Sequence, residues 1–439
     1  MTRQRSTELG LIVLAMVTTV AIYILAALGE EASIPADAAP FLLQVVVLLV
    51  VAHLAVRRLA PHADGTLLPL AVFLNGVGYS FIVRLDDGLA ENQALWTLLG
   101  IAAFIVTLAL VRDVATLGRY RWTFALAGLV LLLAPLLPGV GRTINGARLW
   151  VKLGPFSVQP GEFAKLAIAL FVTSYLVEKR ELLAIGTRRL GRLVVPDLKH
   201  LGPLLVAWGA SLLVMVAERD LGSSLLVFST FVVVVWVATG RAWYPAVGGA
   251  LFVLGSVAAW ATFDHVQARV RIWINPWEDP TGEGFQLLQA IFAMSSGGLT
   301  GTGPGLGSPG RIPEGETDFI FAVIGEELGF LGATAIIVCF LLIIGAGLRV
   351  ATRARDEFGT LLATALTITI GFQAFIIIGG ILRVLPLTGI TLPFVSYGGS
   401  SLLANYILLA LLLRISDESS STGGGPRSEP LHETVEVGS

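Results

Sequence analysis

Three carboxylates stand within ten residues of an otherwise apolar stretch: Asp318, Glu326 and Glu327. An acid inside or at the mouth of a membrane-spanning segment is costly, so it is a functional candidate by default. Asp318 follows Thr317 at a helix start and can instead simply cap that helix. Glu326 and Glu327 lie about 12 Å deeper at 1.5 Å per residue and need partners or water. The pattern predicts chemistry or ion handling.

A second group of polar residues lies within and just after the predicted loop 139–161. Glu162 and Lys165 come just after Pro160, which favours a helix start, and three-residue spacing places both on one helix face. They can form an ion pair near the membrane surface, or be a snorkelling Lys beside a capping acid. Arg148, close to Trp150, is a candidate ligand for an anion or only an interfacial anchor.

Further candidates lie between predicted helices in the outer half of the chain. Asp220 stands at a helix junction, where an acid binds substrate or caps the next helix. Arg269 and Arg271 precede a glycine-rich stretch, 297–310, and a guanidinium can clamp phosphate oxygens in two places. Taken alone, the glycine-rich stretch is better explained as a flexible loop without a ligand.

The run from 386 to 401 contains two prolines, a Gly-Gly pair and the serines Ser396 and Ser400. Such a run at a helix entrance predicts a broken segment that lines protein or a cavity, because lipid cannot satisfy its backbone groups. Close helix packing alone also explains the small residues.

The composition requires a membrane to position these residues. The 439-residue chain is 55% hydrophobic and 14% charged, too apolar for one soluble core. The sequence therefore predicts an all-α integral membrane protein, a polytopic helical bundle of about twelve transmembrane helices. The apolar stretches are 10–28, 41–58, 66–84, 93–111, 122–138, 162–178, 201–217, 222–239, 243–262, 319–348, 360–383 and 392–414.

Lys and Arg concentrate in alternate loops, which predicts their cytoplasmic side and places both termini inside. The first stretch has no small-residue cleavage site and is expected to be retained. Two substantial extracytoplasmic loops follow, 139–161 and 263–318, so chemistry is expected on the outer face. The chain divides into N-terminal transmembrane helices 1–4 (1–121), a core (122–416) and a disordered cytoplasmic tail (417–439).

The order of the polar motifs resembles the SEDS family, the RodA and FtsW proteins of bacterial elongation and division. The two extra N-terminal helices resemble its actinobacterial RodA-type branch. The match extends in order from about 141 to 415, and its motifs are Asn145–Arg148, Gln159–Lys165, Asp220–Gly222, Thr317–Phe321 with Gly325–Gly329, and Pro393–Ser400.

The resemblance implies a peptidoglycan glycosyltransferase that polymerises lipid II on the outer face of the cytoplasmic membrane, for cell elongation or division. Asp318 would be the general base, and undecaprenyl diphosphate would leave with inversion at the anomeric carbon. The implied substrate-binding residues are Arg148, Glu162, Lys165, Asp220, Arg269, Glu326, Glu327, Ser396 and Ser400.

The resemblance also implies a class B penicillin-binding protein as transpeptidase partner, alongside membrane lipid and no nucleic acid. No metal ligands are predicted, although a divalent cation, Mg²⁺ or Mn²⁺, could assist by neutralising diphosphate charge. A lipid II flippase and a ligase for another polyprenyl-linked sugar remain alternatives.

Four residues depart from the usual family pattern: Gly161 replaces Ser, Glu316 replaces His, Ile377 replaces Asn and Arg383 replaces Gly. Glu316 is expected to matter most, because a second acid near Asp318 would raise its pKa.

Overall fold

The structure, a computed structural model, describes residues 3–31, 38–144, 147–154, 156–184, 188–190, 193–195 and 198–421. Fourteen α-helices lie within these ranges: α1 (Arg3–Glu31), α2 (Ala38–Leu59), α3 (Leu67–Leu85), α4 (Asp87–Leu110), α5 (Arg121–Leu133), α6 (Pro160–Ala184), α7 (Leu198–Ala217), α8 (Leu221–Thr239), α9 (Trp243–Thr262), α10 (Asp264–Ile274), α11 (Phe285–Gly297), α12 (Ile320–Arg353), α13 (Glu357–Ile381) and α14 (Gly399–Ser421).

The predicted polytopic all-α membrane bundle is confirmed. Ten helices in the described part of the chain are long and apolar enough to cross a membrane. The remaining two predicted spans, 41–58 and 201–217, coincide with α2 and α7. Helices α10 and α11, which lie in the predicted loop 263–318, were not expected, because they are too short to span a membrane.

The loop 139–161 also contains structure that hydropathy did not predict. Strands β1 (Gly141–Ile144), β2 (Ala147–Leu153) and β3 (Phe156–Val158) form an antiparallel sheet in which Val151 pairs with both Gly141 and Val158. A separate hairpin pairs β4 (Arg188–Leu190) with β5 (Leu193–Val195). The motif residues 145 and 146 lie outside the described residues.

Helices α6, α13 and α14 form the buried centre of the bundle, whereas α9 is almost entirely exposed and must face lipid. The chain comes close to α3 at Gly78, where an added Cβ would lie 2.1 Å from the Val395 carbonyl oxygen. This contact presses α3 against the non-helical run between α13 and α14.

Helix α12 is broken at Gly329, which has φ +66°. The glycine-rich loop crosses the break, and the Phe330 amide donates to the Gly298 carbonyl oxygen at 2.9 Å. A Cβ on Gly329 would come within 2.2 Å of the Gly301 nitrogen, so only glycine permits this crossing. The break separates the short N-terminal part of α12 from its long C-terminal part.

Helix α14 continues through Ser421, so the predicted disordered tail does not begin at residue 417. Asp417 is ion-paired with Arg414 at 3.2 Å and accepts a hydrogen bond from the His62 amide at 2.7 Å, which holds this last turn against the bundle. The rest of the predicted tail, 422–439, lies outside the described residues.

Candidate active site

Asp318 lies just before the first turn of α12 and opens onto a cavity of about 1230 Å³, measured as empty space including its mouth. The walls come from α10, from α11 with the residues that precede it, from the end of α13 and from the chain at 385–389. The polar and charged residues in these walls are Asp264, His265, Arg269, Glu283, Gln286, Asp318 and Thr388.

The surroundings of Asp318 raise the pKa of its carboxyl from 3.8 to about 7. Burial is the largest cause, the neighbouring Glu314 carboxylate is second, and Arg269 opposes both. Asp220 and Glu316 add smaller increases. A carboxylate that titrates near neutral pH is well matched to accepting a proton.

Glu316 was expected to raise the pKa of Asp318, whereas Glu314 was not considered. Glu316 does raise the pKa of Asp318, but it does so less than Glu314. Glu314 has φ +55°, and its carbonyl oxygen accepts from the Thr317 and Phe319 amides at 3.2 and 3.1 Å. This tight turn brings Glu314 back towards the carboxyl four residues later.

Arg269 of α10 is brought to the same place as Asp318. Its Nη1 donates to the Leu387 carbonyl oxygen at 2.6 Å. Burial lowers the pKa of this guanidinium, and Asp318 and Asp220 raise it. A Cβ on Gly389, which has φ +72°, would lie 3.4 Å from Asp318 Oδ2 and 3.5 Å from Arg269 Nη2. Asp318 and Arg269 therefore both lie next to the backbone of Gly389.

Ser396 holds the backbone beside Asp318. Its Oγ donates to the Thr317 carbonyl oxygen at 2.6 Å and accepts from the Leu392 amide at 2.8 Å. The Tyr397 amide donates to the Glu316 carbonyl oxygen at 2.8 Å. The run after α13 thus binds both residues preceding Asp318, and Ser396 acts through that backbone.

Glu162, Lys165 and Asp220 form a neighbouring buried group. Lys165 Nζ and Glu162 Oε1 are 2.8 Å apart, and both side chains are buried. Asp220 Oδ1 accepts from the Ser223 amide at 2.9 Å, so Asp220 does cap α8. Burial raises the pKa of Asp220, the bonds from Ser223 lower it, and the Lys165 charge lowers it further. The ion pair is therefore electrostatically linked to the Asp220 turn.

Arg148 and Ser400 connect the sheet of β1 to β3 to the bundle, and neither is among the cavity-lining residues. Arg148 Nη2 donates to the Leu137 carbonyl oxygen at 3.0 Å. Ser400 Oγ accepts from the Gln159 amide at 2.9 Å.

Glu326 and Glu327 bind the glycine-rich loop and lie outside the cavity lining. Glu326 Oε1 accepts from the Ser308 amide at 3.0 Å, and Glu327 Oε2 accepts from the Gly305 amide at 2.8 Å. Arg84 Nε is 3.5 Å from Glu327 Oε1. Each acid thus accepts a bond from a backbone amide, while Glu326 Oε2 is buried without a hydrogen-bond partner among the described residues.

Sequence reasoning missed several cavity residues, of which His265, Trp273 and Thr388 are the most informative. The spacing of four between His265 and Arg269 was an available signal, because it places both on one face of α10. Trp273 and Thr388 gave no local signal. Among the described residues, no group of three or more His, Cys, Asp or Glu side chains is arranged to hold a metal ion.

Comparison with known proteins finds relatives that all belong to one family. The model of the FTSW_RODA_SPOVE family, described as cell cycle proteins, matches residues 66–421. The chain is 44% identical over 424 residues to the peptidoglycan glycosyltransferase RodA of Mycobacterium tuberculosis, covering 94% of this chain and 90% of that protein. It is 36% identical over 337 residues to stage V sporulation protein E of Bacillus subtilis, covering 76% and 88% respectively.

Two solved structures share the fold. One is a chain from a structure described as the structural coordination of polymerization and crosslinking by a peptidoglycan synthase complex. Its TM-score is 0.66 at 27% identity, and the match covers 81% of this chain and 98% of that one. The other is the rod shape determining protein RodA of Thermus thermophilus, with a TM-score of 0.55 at 25% identity, covering 81% and 96%.

Proposed function

Because the chain belongs to the FtsW, RodA and SpoVE family, we propose that it is a peptidoglycan glycosyltransferase that polymerises lipid II into glycan strands. One observation carries the proposal for the site: the Asp318 carboxyl, whose pKa is about 7, stands against Arg269 in an open cavity. A base and a cation so placed are what glycosyl transfer from a diphosphate requires.

The proposed reaction begins at Asp318. Its carboxylate takes the proton of the acceptor sugar's 4-hydroxyl while that oxygen forms a bond to the anomeric carbon of the donor. The bond from this carbon to the diphosphate oxygen breaks, and its electron pair leaves with undecaprenyl diphosphate. Attack opposite to the leaving group inverts the anomeric centre. Asp318 ends protonated and returns the proton to water.

Arg269 is the residue best placed to neutralise the leaving diphosphate. Its bond to the Leu387 carbonyl oxygen fixes one arm of the guanidinium and leaves other N–H donors for phosphate oxygens. Negative charge grows on the diphosphate as the bond breaks, so a preorganised cation favours the transition state over the ground state.

The remaining proposed substrate-binding residues divide by position. Lys165, Glu162 and Asp220 form the buried charged group next to this centre, where Lys165 can steady phosphate charge. Ser396 positions the Asp318 backbone, and Ser400 and Arg148 support the sheet of β1 to β3. Glu326 and Glu327 support the glycine-rich loop. No step is assigned to a divalent cation.

We place the reaction on the outer face of the cytoplasmic membrane, with both termini in the cytoplasm. The support is the accumulation of Lys and Arg in the opposite set of loops. We further propose that a class B penicillin-binding protein crosslinks the product. The similarity to a chain of a peptidoglycan synthase complex supports such a partner.

The test is reconstitution of the full-length protein in liposomes with labelled lipid II, with and without a class B penicillin-binding protein. Glycan polymer that depends on this protein is the expected product. Movement of lipid II across the bilayer without polymer would instead identify a flippase. Neither polymer nor movement, with the partner present, would contradict the proposed substrate.

A further inference from the structure

The cavity contains two polar atoms that the proposed reaction does not use. His265 Nε2 and Thr388 Oγ1 are buried and have no hydrogen-bond partner among the described residues. Both side chains line the cavity. A buried polar group without a partner is destabilising by about 1 to 3 kcal/mol, so such groups are rare and require an explanation. Neither atom has accessible surface in this conformation, so each side chain rotates towards the cavity when a ligand there supplies the missing partner.

The same walls contain an aromatic ring in a fixed position. Trp273 Nε1 donates to the Arg383 carbonyl oxygen at 3.0 Å, and Arg383 Nη2 donates back to the Trp273 carbonyl oxygen at 3.0 Å. This reciprocal pair holds the indole while it lines the cavity. A large ring next to neutral hydrogen-bonding groups suits a ligand with both C–H faces and hydroxyls.

The charge state of His265 agrees with a neutral ligand. Burial lowers the pKa of His265, Arg219 and Arg269 lower it further, and Asp264 opposes them. The imidazole is therefore neutral at physiological pH, with one nitrogen that donates and one that accepts. A sugar hydroxyl or amide can satisfy either nitrogen, whereas a phosphate would prefer a cation.

The spacing on α10 fixes where this ligand group lies. His265 and Arg269 are four residues apart, hence on one helix face and about 6 Å apart along the axis. If Arg269 binds the diphosphate, the neutral group lies one helical turn away. The donor has a sugar ring on one side of the diphosphate and a prenyl chain on the other, and only the sugar ring has hydroxyl and amide groups that can bond to His265 and Thr388.

We propose that His265, Thr388 and Trp273 form the subsite for the donor sugar that carries the diphosphate. His265 Nε2 and Thr388 Oγ1 exchange hydrogen bonds with its hydroxyl or acetamido groups, and the Trp273 ring packs against its C–H face. This subsite rests on the proposed function, because it assumes a sugar diphosphate in the cavity.

The test compares two probes on the full-length protein in nanodiscs: lipid II, and undecaprenyl diphosphate, which has the diphosphate but no sugar. The variants are His265→Phe and Thr388→Val, which keep size and remove the hydrogen bonds. We expect each to weaken lipid II binding by about tenfold and to leave undecaprenyl diphosphate binding unchanged. His265→Gln should recover part of the loss, because an amide restores a donor and an acceptor.

The matched control is Gln267→Leu, which removes a polar side chain from the same helix outside the cavity lining and should bind both probes normally. Unchanged lipid II affinity in both cavity variants, or an equal loss for the two probes, would overturn the sugar subsite while the wild-type protein still polymerises. If His265→Phe does not fold, Thr388→Val decides alone. A wild-type protein that binds neither probe would overturn the proposed function as well.

Discussion

Replacing Glu314 by Gln removes the charge that, after burial, most raises the pKa of Asp318. The base works only when ionised, so activity rises with pH through this pKa. Glu314→Gln should therefore shift the acidic limb of the pH profile to lower pH and increase the rate below neutrality. The amide oxygen of Gln can still accept the bond that Thr317 Oγ1 donates to Glu314 Oε2 at 3.2 Å.

The size of the effect follows from the position of the limb. With the pKa of Asp318 at about 7, roughly a tenth of the carboxyl is ionised one unit below it. In that range each unit of downward shift raises the ionised fraction, and with it the rate, by up to about tenfold. Burial remains in the variant and is the largest cause of the shift, so the limb should stay well above the ordinary value of 3.8.

The assay is the initial rate of lipid II polymerisation, measured from two pH units below this pKa to one unit above it. Glu314→Asp keeps the charge and is the matched control, with a limb near that of the wild type. Glu316→Gln should move the limb in the same direction by less, because Glu316 contributes less. Superimposed wild-type and Glu314→Gln limbs would refute the argument, as would an upward shift.

Three further substitutions test the support of the site. Lys165→Met should weaken lipid II turnover, and it also leaves the buried Glu162 unpaired, which typically destabilises a protein by about 3 to 5 kcal/mol. The double variant with Glu162→Gln should regain thermal stability without regaining turnover. Recovery of both would indicate a purely structural pair. Gly389→Ala should lower kcat in a protein that still inserts, because alanine disfavours φ +72° by about 1 to 2 kcal/mol and the backbone beside Asp318 and Arg269 would shift; wild-type kcat would contradict this. Ser396→Ala removes the bond to the Thr317 carbonyl oxygen and should lower kcat more than it raises KM, whereas a change in KM alone would exclude a positioning role.

Hydropathy was sufficient to predict the bundle, because twenty apolar residues in a row have few alternatives to a membrane helix. It could not predict α10 or α11, which are short and lie in a polar loop. The strands β1 to β3 were also missed, since a sheet of this size depends on pairing rather than on a strong local pattern.

The site was predictable where a residue type is unusual for its place. Asp318 was identified in this way and Arg269 as a cation suited to phosphate, and the structure brings them together. The roles of Glu326 and Glu327 were not predictable, because their partners are backbone amides about twenty residues earlier in the chain. Glu314 was not singled out, because nothing local indicates the turn at its positive φ that brings it close to Asp318.

The most direct test of the central claim is the turnover of Asp318→Asn, because asparagine keeps the size of the side chain and removes the proton acceptor. We predict that the properly inserted variant binds lipid II with an affinity near that of the wild type and polymerises it about 10² to 10⁴-fold more slowly, the usual consequence of losing a general base. Near-normal polymerisation by Asp318→Asn, measured beside wild-type protein in the same liposomes, would contradict the account.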